Sequence, residues 1–203
     1  MKKYAVLHEP GDIVTLAGTR FVVLDVERRG SLPDSLFLLA LESVGASEFG
    51  SSNNYAESDL KKAVDKWLED MGKRGLDNAK LIPREIDLTT LDGSGCYGKL
   101  SVKAAPLTLD EAREYADIIP NAERWCWLAT GWSGPSKSDG DLALGVGSGG
   151  DWGGGGCSGS GGVRPALKIP SDLLLDSADK PDLSEVPTDT LLEEIRRRVV
   201  DKA

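Results

Sequence analysis

Few residues in this chain are of the types that do chemistry in clusters. There is one histidine, His8, so a Ser-His-Asp triad or a histidine-rich zinc centre would have to be built around that single side chain. Three cysteines, Cys96, Cys126 and Cys157, stand 30 and 31 residues apart. That spacing fits neither a zinc ribbon nor a disulfide framework, so reduced thiols are expected. Asp139, Asp141 and Asp151 are the only acids of a Gly/Ser-rich stretch. A calcium-dependent sugar site needs clustered carboxylates and amides, and no Asn or Gln accompanies them, so no metal is expected. Gly145-Val-Gly-Ser-Gly-Gly-Asp-Trp-Gly153 superficially suggests a phosphate loop. It lacks a Gly-Lys-Ser/Thr ending and a following helix, and Asp151 would repel phosphate. No catalytic residue and no cofactor is assigned on these grounds.

What the stretch offers instead is a surface. From Gly131 to Gly162, 14 of 32 residues are Gly, 6 are Ser and 3 are Asp, out of 24 Gly in the chain. Trp132, Leu142, Leu144, Val146 and Trp152 are interleaved, and strand-like apolar sequence flanks both ends, which argues against a flexible linker. Glycine in regular structure costs roughly 0.5–1 kcal/mol against alanine. Most of these glycines are therefore expected in loops, unless the remaining scaffold is unusually robust; either way the stretch is expected to contribute nothing to stability. The expected ligand-binding set is Ser133, Ser136, Ser138, Asp139, Asp141, Gly145, Gly147, Asp151, Trp152, Gly153, Gly155, Ser158, Gly159 and Gly161. Serines and aspartates would supply hydrogen bonds, glycines would allow backbone approach, and Trp132 and Trp152 are the only large apolar anchors.

The elements that must carry this surface are legible around it. Ile13–Leu16 and Arg20–Val26 read as strands joined at Ala17-Gly18-Thr19, and Leu36–Leu41 as a buried third. Ser58–Met71 reads as a helix with Ser58 as N-cap and a stripe of Leu60, Val64, Trp67, Leu68 and Met71. Thr108-Leu-Asp-Glu111 has the capping-box form and predicts a short helix over 108–116. Residues 82–93 read as extended and turn-rich, and Arg124–Leu128 as a short buried strand. Residues 170–187 are acidic and proline-bearing and read as an extended linker. Thr188–Lys202 reads as an amphipathic helix with a Leu191, Leu192, Ile195 and Val199 stripe that could dock a partner protein or a second copy of the chain.

Charge narrows the partners. Against 24 Lys and Arg stand 33 Asp and Glu, for a net charge of −9. Sequence-independent nucleic-acid binding needs a basic face, so none is expected, nor is attachment to an anionic membrane. No run of 18 apolar residues occurs. The start, MKKYAVLHEPGD, has no apolar core of a secretory signal, so a cytoplasmic or virion-associated location is expected.

Larger pieces of the chain resemble a known family. Trp125-Cys-Trp-Leu-Ala-Thr130, a long polar insert and then Gly162-Val-Arg-Pro-Ala-Leu-Lys-Ile169 look like the end of a C-type-lectin-like domain. Phe49-Gly-Ser-Ser-Asn-Asn-Tyr-Ala-Glu-Ser-Asp-Leu60, Lys66-Trp-Leu68, Leu91-Asp-Gly93 and Pro106-Leu-Thr-Leu109 match upstream. Together these are similar to the variable target proteins of diversity-generating retroelements in gut bacteria and their phages. The resemblance covers about residues 10–169. It implies an α+β, C-type-lectin-like fold, taken over 1–169, with a variable region at about 131–161; the linker at 170–187 and the helical extension at 188–203 follow that domain. It also implies a non-enzymatic protein that binds variable protein or glycan ligands.

In such systems a reverse transcriptase miscopies adenines, and AAC or AAT codons for Asn become Ser, Asp or Gly. Those three types make up 23 of the 32 residues of the insert, and Asn is absent. The Gly-Val-Arg-Pro-Ala-Leu ending is shared with formylglycine-generating relatives, whose oxidase chemistry uses a cysteine pair with copper. Cys126 and Cys157 would be the candidates for that alternative, but neither sits in a recognisable catalytic pattern. An undiversified lectin-like structural protein is the other alternative.

Overall fold

The structure, a computed structural model, describes residues 2–4, 8–29 and 32–177. The expected helix over 188–203 and residues 178–187 of the expected linker lie outside the described residues. The fold is sheet-rich and mixed, with few helices. In chain order the elements are β1 Lys2–Tyr4, β2 Ile13–Leu16, β3 Thr19–Arg29, β4 Leu32–Ala40, β5 Ala46–Glu48, α1 Asp59–Lys73, β6 Arg84–Asp87, β7 Lys99–Val102, β8 Ala104–Ala105, α2 Leu109–Glu114, β9 Cys126–Gly131, β10 Leu142–Val146, β11 Trp152–Gly156, β12 Ser160–Gly162, β13 Ala166–Pro170 and β14 Leu174–Ser177.

The larger sheet has the order β1-β14-β2-β3-β4-β13-β8. Its centre is the β2–β3–β4 meander. Leu16 pairs with Thr19 across a two-residue turn in which both Ala17 (φ 47°) and Gly18 (φ 77°) are left-handed, the hairpin turn whose twist matches that of the strands. The apolar runs Phe21-Val-Val-Leu24 and Leu36-Phe-Leu-Leu39 do not alternate with polar residues because both faces of this sheet are covered. Phe21, Val23, Leu36 and Leu38 join the main core with α1, through Leu60, Val64, Trp67 and Met71. Val22, Leu24, Phe37 and Leu39 face the other way, against Leu107, Leu109 and Ala112 at α2.

The helix signals in the sequence act as expected. The Ser58 hydroxyl accepts from the Lys61 amide at 2.9 Å and caps α1. At α2, Thr108 Oγ1 accepts from the Glu111 amide while Glu111 Oε2 accepts from the Thr108 amide at 2.8 Å, a reciprocal capping box. Glu111 also pairs with the buried Arg84 guanidinium, which donates further to the carbonyls of Ala105 and Pro106.

In the second sheet, β11-β10-β9-β12-β5, the structure departs from the expected loops. Eight of the 14 glycines of residues 131–162 lie in β9, β10, β11 and β12. The linker expected at 170–187 is also corrected in part. Leu174–Ser177 forms β14, which pairs with β1 and β2 inside the larger sheet. Among the described residues no helix is long and apolar enough to cross a membrane.

Candidate ligand-binding surface

β9 is the buried spine of the second sheet. Trp127 stands on it and Trp125 immediately precedes it, two residues apart; their indoles meet edge to face, with centroids 5.9 Å apart. Trp127 is 2 % exposed, packs edge-on against Phe49 and donates its indole N–H to the Ser47 carbonyl at 3.0 Å. These rings cover the neighbouring strands, and the residues beneath them are glycines. A Cβ on Gly145 would fall 2.5 Å from Trp125 Cε2 and 2.7 Å from the Cys126 carbonyl oxygen. A Cβ on Gly161 would fall 2.5 Å from Trp127 Nε1, and one on Gly155 2.9 Å from the same ring. On the opposite face Trp132 covers Gly154, where a Cβ would lie 2.6 Å from the ring. The strand glycines are thus the counterpart of the tryptophans. Their lost propensity is offset by burial of large aromatic surfaces.

The segment between β9 and β10 is tied down at its root. Asn53, 1 % exposed, donates from Nδ2 to the carbonyls of Ser133 (2.9 Å) and Leu142 (3.0 Å), and its Oδ1 accepts from the Tyr97 hydroxyl at 2.6 Å. The 90–94 loop holds it from the side. The amides of Leu91 and Asp92 donate to the carbonyls of Gly131 and Trp132, and Lys137 Nζ reaches Asp92 Oδ2 at 2.6 Å. The Lys137 ammonium and the Thr90 hydroxyl hold the Asp92 carboxyl well below the usual carboxylate range. Between these ties, residues 135–139 stand open to solvent.

The fourteen residues expected to bind ligand are therefore not one uniform face. Ser136, Ser138, Asp139, Asp141, Asp151, Trp152, Ser158 and Gly159 are exposed, and Gly147, Gly153 and Gly155 are half-buried. Ser133, Gly145 and Gly161 are buried: Ser133 sits at the loop root beside Asn53, and the two glycines lie beneath indoles. The exposed residues gather at two ends of the sheet. Ser136, Ser138, Asp139, Asp141, Ser158 and Gly159 occupy the end where the Cys157 amide donates to the Asp141 carbonyl. Asp151 and Trp152 occupy the other end, across the hairpin closed by the Gly147 amide on the Asp151 carbonyl.

Strand β11 joins these ends along the outer edge of the sheet, a span of about 13 Å at the rise of a strand. Trp152 is 39 % exposed, with the Arg113 guanidinium 5.5 Å from its ring centroid. Trp132, the second anchor expected from sequence, is half-buried and packs on Gly154. Sequence reasoning missed Asn53, Asp92, Lys137 and Arg113. Their signal was absent because each lies far along the chain from what it holds, or forms its contact only through tertiary structure.

The two cysteines of the oxidase alternative are unsuited to nucleophilic work. Cys126 and Cys157 are buried free thiols; burial pushes Cys157 up to about 11 and raises Cys126 as well, so both remain in the protonated, unreactive form near neutrality. Among the described residues no three His, Cys, Asp or Glu side chains gather as a metal-holding group. Comparison with protein-family models, with curated proteins and with solved structures finds no match for this chain.

Proposed function

We propose that this is a non-enzymatic ligand-binding protein of C-type-lectin-like type, the diversified product of a retroelement. It recognises variable protein or glycan ligands through the exposed part of residues 131–161. The observation that carries this reading is the separation of the stretch into two classes of position. Ser136, Ser138, Asp139, Asp141 and Ser158 project from connections whose ends are fixed by Asn53, Asp92 and the β10–β11 pairing, and none of these five lies in either hydrophobic core. A surface built this way tolerates replacement of its contact residues while the two cores supply the folding energy. The lectin-like resemblance, with helix α1 followed by α2 and a late sheet carrying the insert, supports the same reading.

Polar recognition dominates such a surface. Three carboxylates, Asp139, Asp141 and Asp151, and several hydroxyls face solvent, and Trp152 is the one large apolar anchor at full reach. Ligands rich in hydroxyl or ammonium donors suit it, and hydrogen bonds with a single aromatic contact give modest affinity.

Two measurements test the proposal. Sequencing of the DNA around the gene is expected to find a near-copy of codons 131–167 that differs mainly at adenines, beside a reverse transcriptase. A replacement of Ser136, Ser138, Asp139, Asp141 and Ser158 together is expected to change binding on glycan and protein arrays while the melting temperature stays within a few degrees of the parent. Absence of the repeat rejects the retroelement origin. Loss of folding in most replacements, or an unchanged array pattern, rejects the binding surface.

A further inference from the structure

Of the two arginines buried among the described residues, Arg84 has Glu111 against it, whereas Arg164 has no carboxylate partner. Arg164 is 7 % exposed. Its Nε donates to the Ala40 carbonyl at 2.8 Å and Nη2 to the Leu41 carbonyl at 3.1 Å. Nη1 makes no hydrogen bond and is not among the sealed, unpartnered buried atoms, so it retains access to open space. Burial works against the charge of this guanidinium, and the only opposing group is the Cys126 sulfur, itself held protonated. A cation in this position is costly unless an anion joins it.

The space beside it is formed. Arg164 lines both an apolar chamber of 40 Å³ and an outer recess of 80 Å³, which share Ala112, Ile119, Ala122 and Val146 as walls. On the same measure one water needs about 10–15 Å³, so the two together hold more than isolated solvent. The outer recess reaches the surface at Asn121, Gly150 and Trp152. The Asn121 amide has no hydrogen-bond partner among the described residues. Apart from Arg164 and Asn121, the side chains around this space are apolar or aromatic, save the Cys126 thiol.

We propose that this recess binds a small monocarboxylate with a short apolar body, its carboxylate on Arg164 Nη1 and its apolar part along Ile119 and Val146 toward Trp152. One guanidinium answers one carboxylate with charge-assisted hydrogen bonds. A dianionic phosphate would want further cations, and none lines the recess. The apolar walls reward a hydrocarbon body and reject a second charge. This site is separate from the loops at 135–141 and 157–159 and does not depend on their reading; it shares only Trp152 with the surface described above.

The test is titration of the full chain with butyrate and, separately, with butyramide, the neutral analogue of nearly the same shape. The readout is the amide resonances of Val146 and Gly150. Butyrate is expected to give saturable shifts at both, and butyramide to bind about tenfold more weakly or less. Arg164→Met is expected to abolish the butyrate response. Because that variant also loses two buried hydrogen bonds, Ala116→Trp at the exposed rim provides a second test. It is expected to fold with an unchanged melting temperature and to block the shifts. No saturable shift with butyrate, equal binding of butyramide, or retained binding in a folded Ala116→Trp variant would overturn the proposal.

Discussion

The indole of Trp125 lies where a side chain on Gly145 would begin: a Cβ there would stand 2.5 Å from Cε2 of the ring. The same relation recurs between Trp127 and Gly161 and between Trp132 and Gly154. The glycines of this sheet therefore differ in what confines them: some are pinned under an indole, Gly131 and Gly162 press on Asn53 and Cys126, and others have room above them. Gly156 is of the last kind, with nothing within 4 Å of its would-be Cβ.

Alanine at these positions separates the kinds. Gly145→Ala and Gly161→Ala are expected to destabilise the fold by about 1–3 kcal/mol, the usual cost of forcing extra atoms into a packed region. Gly156→Ala keeps its backbone and meets no neighbour, so it is expected to be neutral or to stabilise by about 0.4–1 kcal/mol through the unfolded chain. Urea unfolding of the three variants checks the order.

Much of the larger sheet was legible in the chain. Ile13–Leu16, the Ala17-Gly18 turn, the Ser58 cap and the Thr108 capping box are local signals, and the structure uses each as its residue types suggest. The glycine strands were not legible, because glycine's weak strand preference is outweighed only once Trp125, Trp127 and Trp132 are placed across them. The alternation Trp125-Cys-Trp127 was the available clue: two indoles two residues apart need small residues opposite. β14 was hidden for a related reason. Its acidic, proline-flanked context reads as linker, and only pairing with β1 and β2 makes it a strand. Of the surface, the existence of the segment was readable but not its division, since Ser133 and Ser136 differ in burial while being the same residue type three positions apart.

Asn53 fixes the root of the 132–142 connection from one buried amide. Asn53→Ala leaves the Ser133 and Leu142 carbonyls and the Tyr97 hydroxyl without that partner, and is expected to cost about 1–3 kcal/mol. Hydrogen exchange checks where the loss falls. Protection should drop first at Gly131, Trp132 and Leu142, ahead of β3 and β4.

The Asp92–Lys137 tie gives the segment a pH dependence. The Asp92 carboxyl is depressed, chiefly by Lys137 and then by Thr90, so its ionised form belongs to the folded state. Its contribution is full above the ordinary aspartate value of about 3.9. As pH falls below that, the unfolded chain takes up its proton first, and the contribution fades until pH passes below the folded value. Chemical shifts of Lys137 and Ser94 are expected to hold steady from pH 7 to about 4.5 and to move only in stronger acid. In Asp92→Asn this acid transition should vanish.

A substitution scan across residues 131–162, scored for folded protein at the cell surface of a display host, tests the division between framework and exposed positions most directly. The account predicts broad tolerance at Ser136, Ser138, Asp139, Asp141 and Ser158, with sharp intolerance at Gly131, Gly145, Gly154 and Gly161. Intolerance spread evenly along the segment, or free substitution at the glycines beneath Trp125, Trp127 and Trp132, would contradict it.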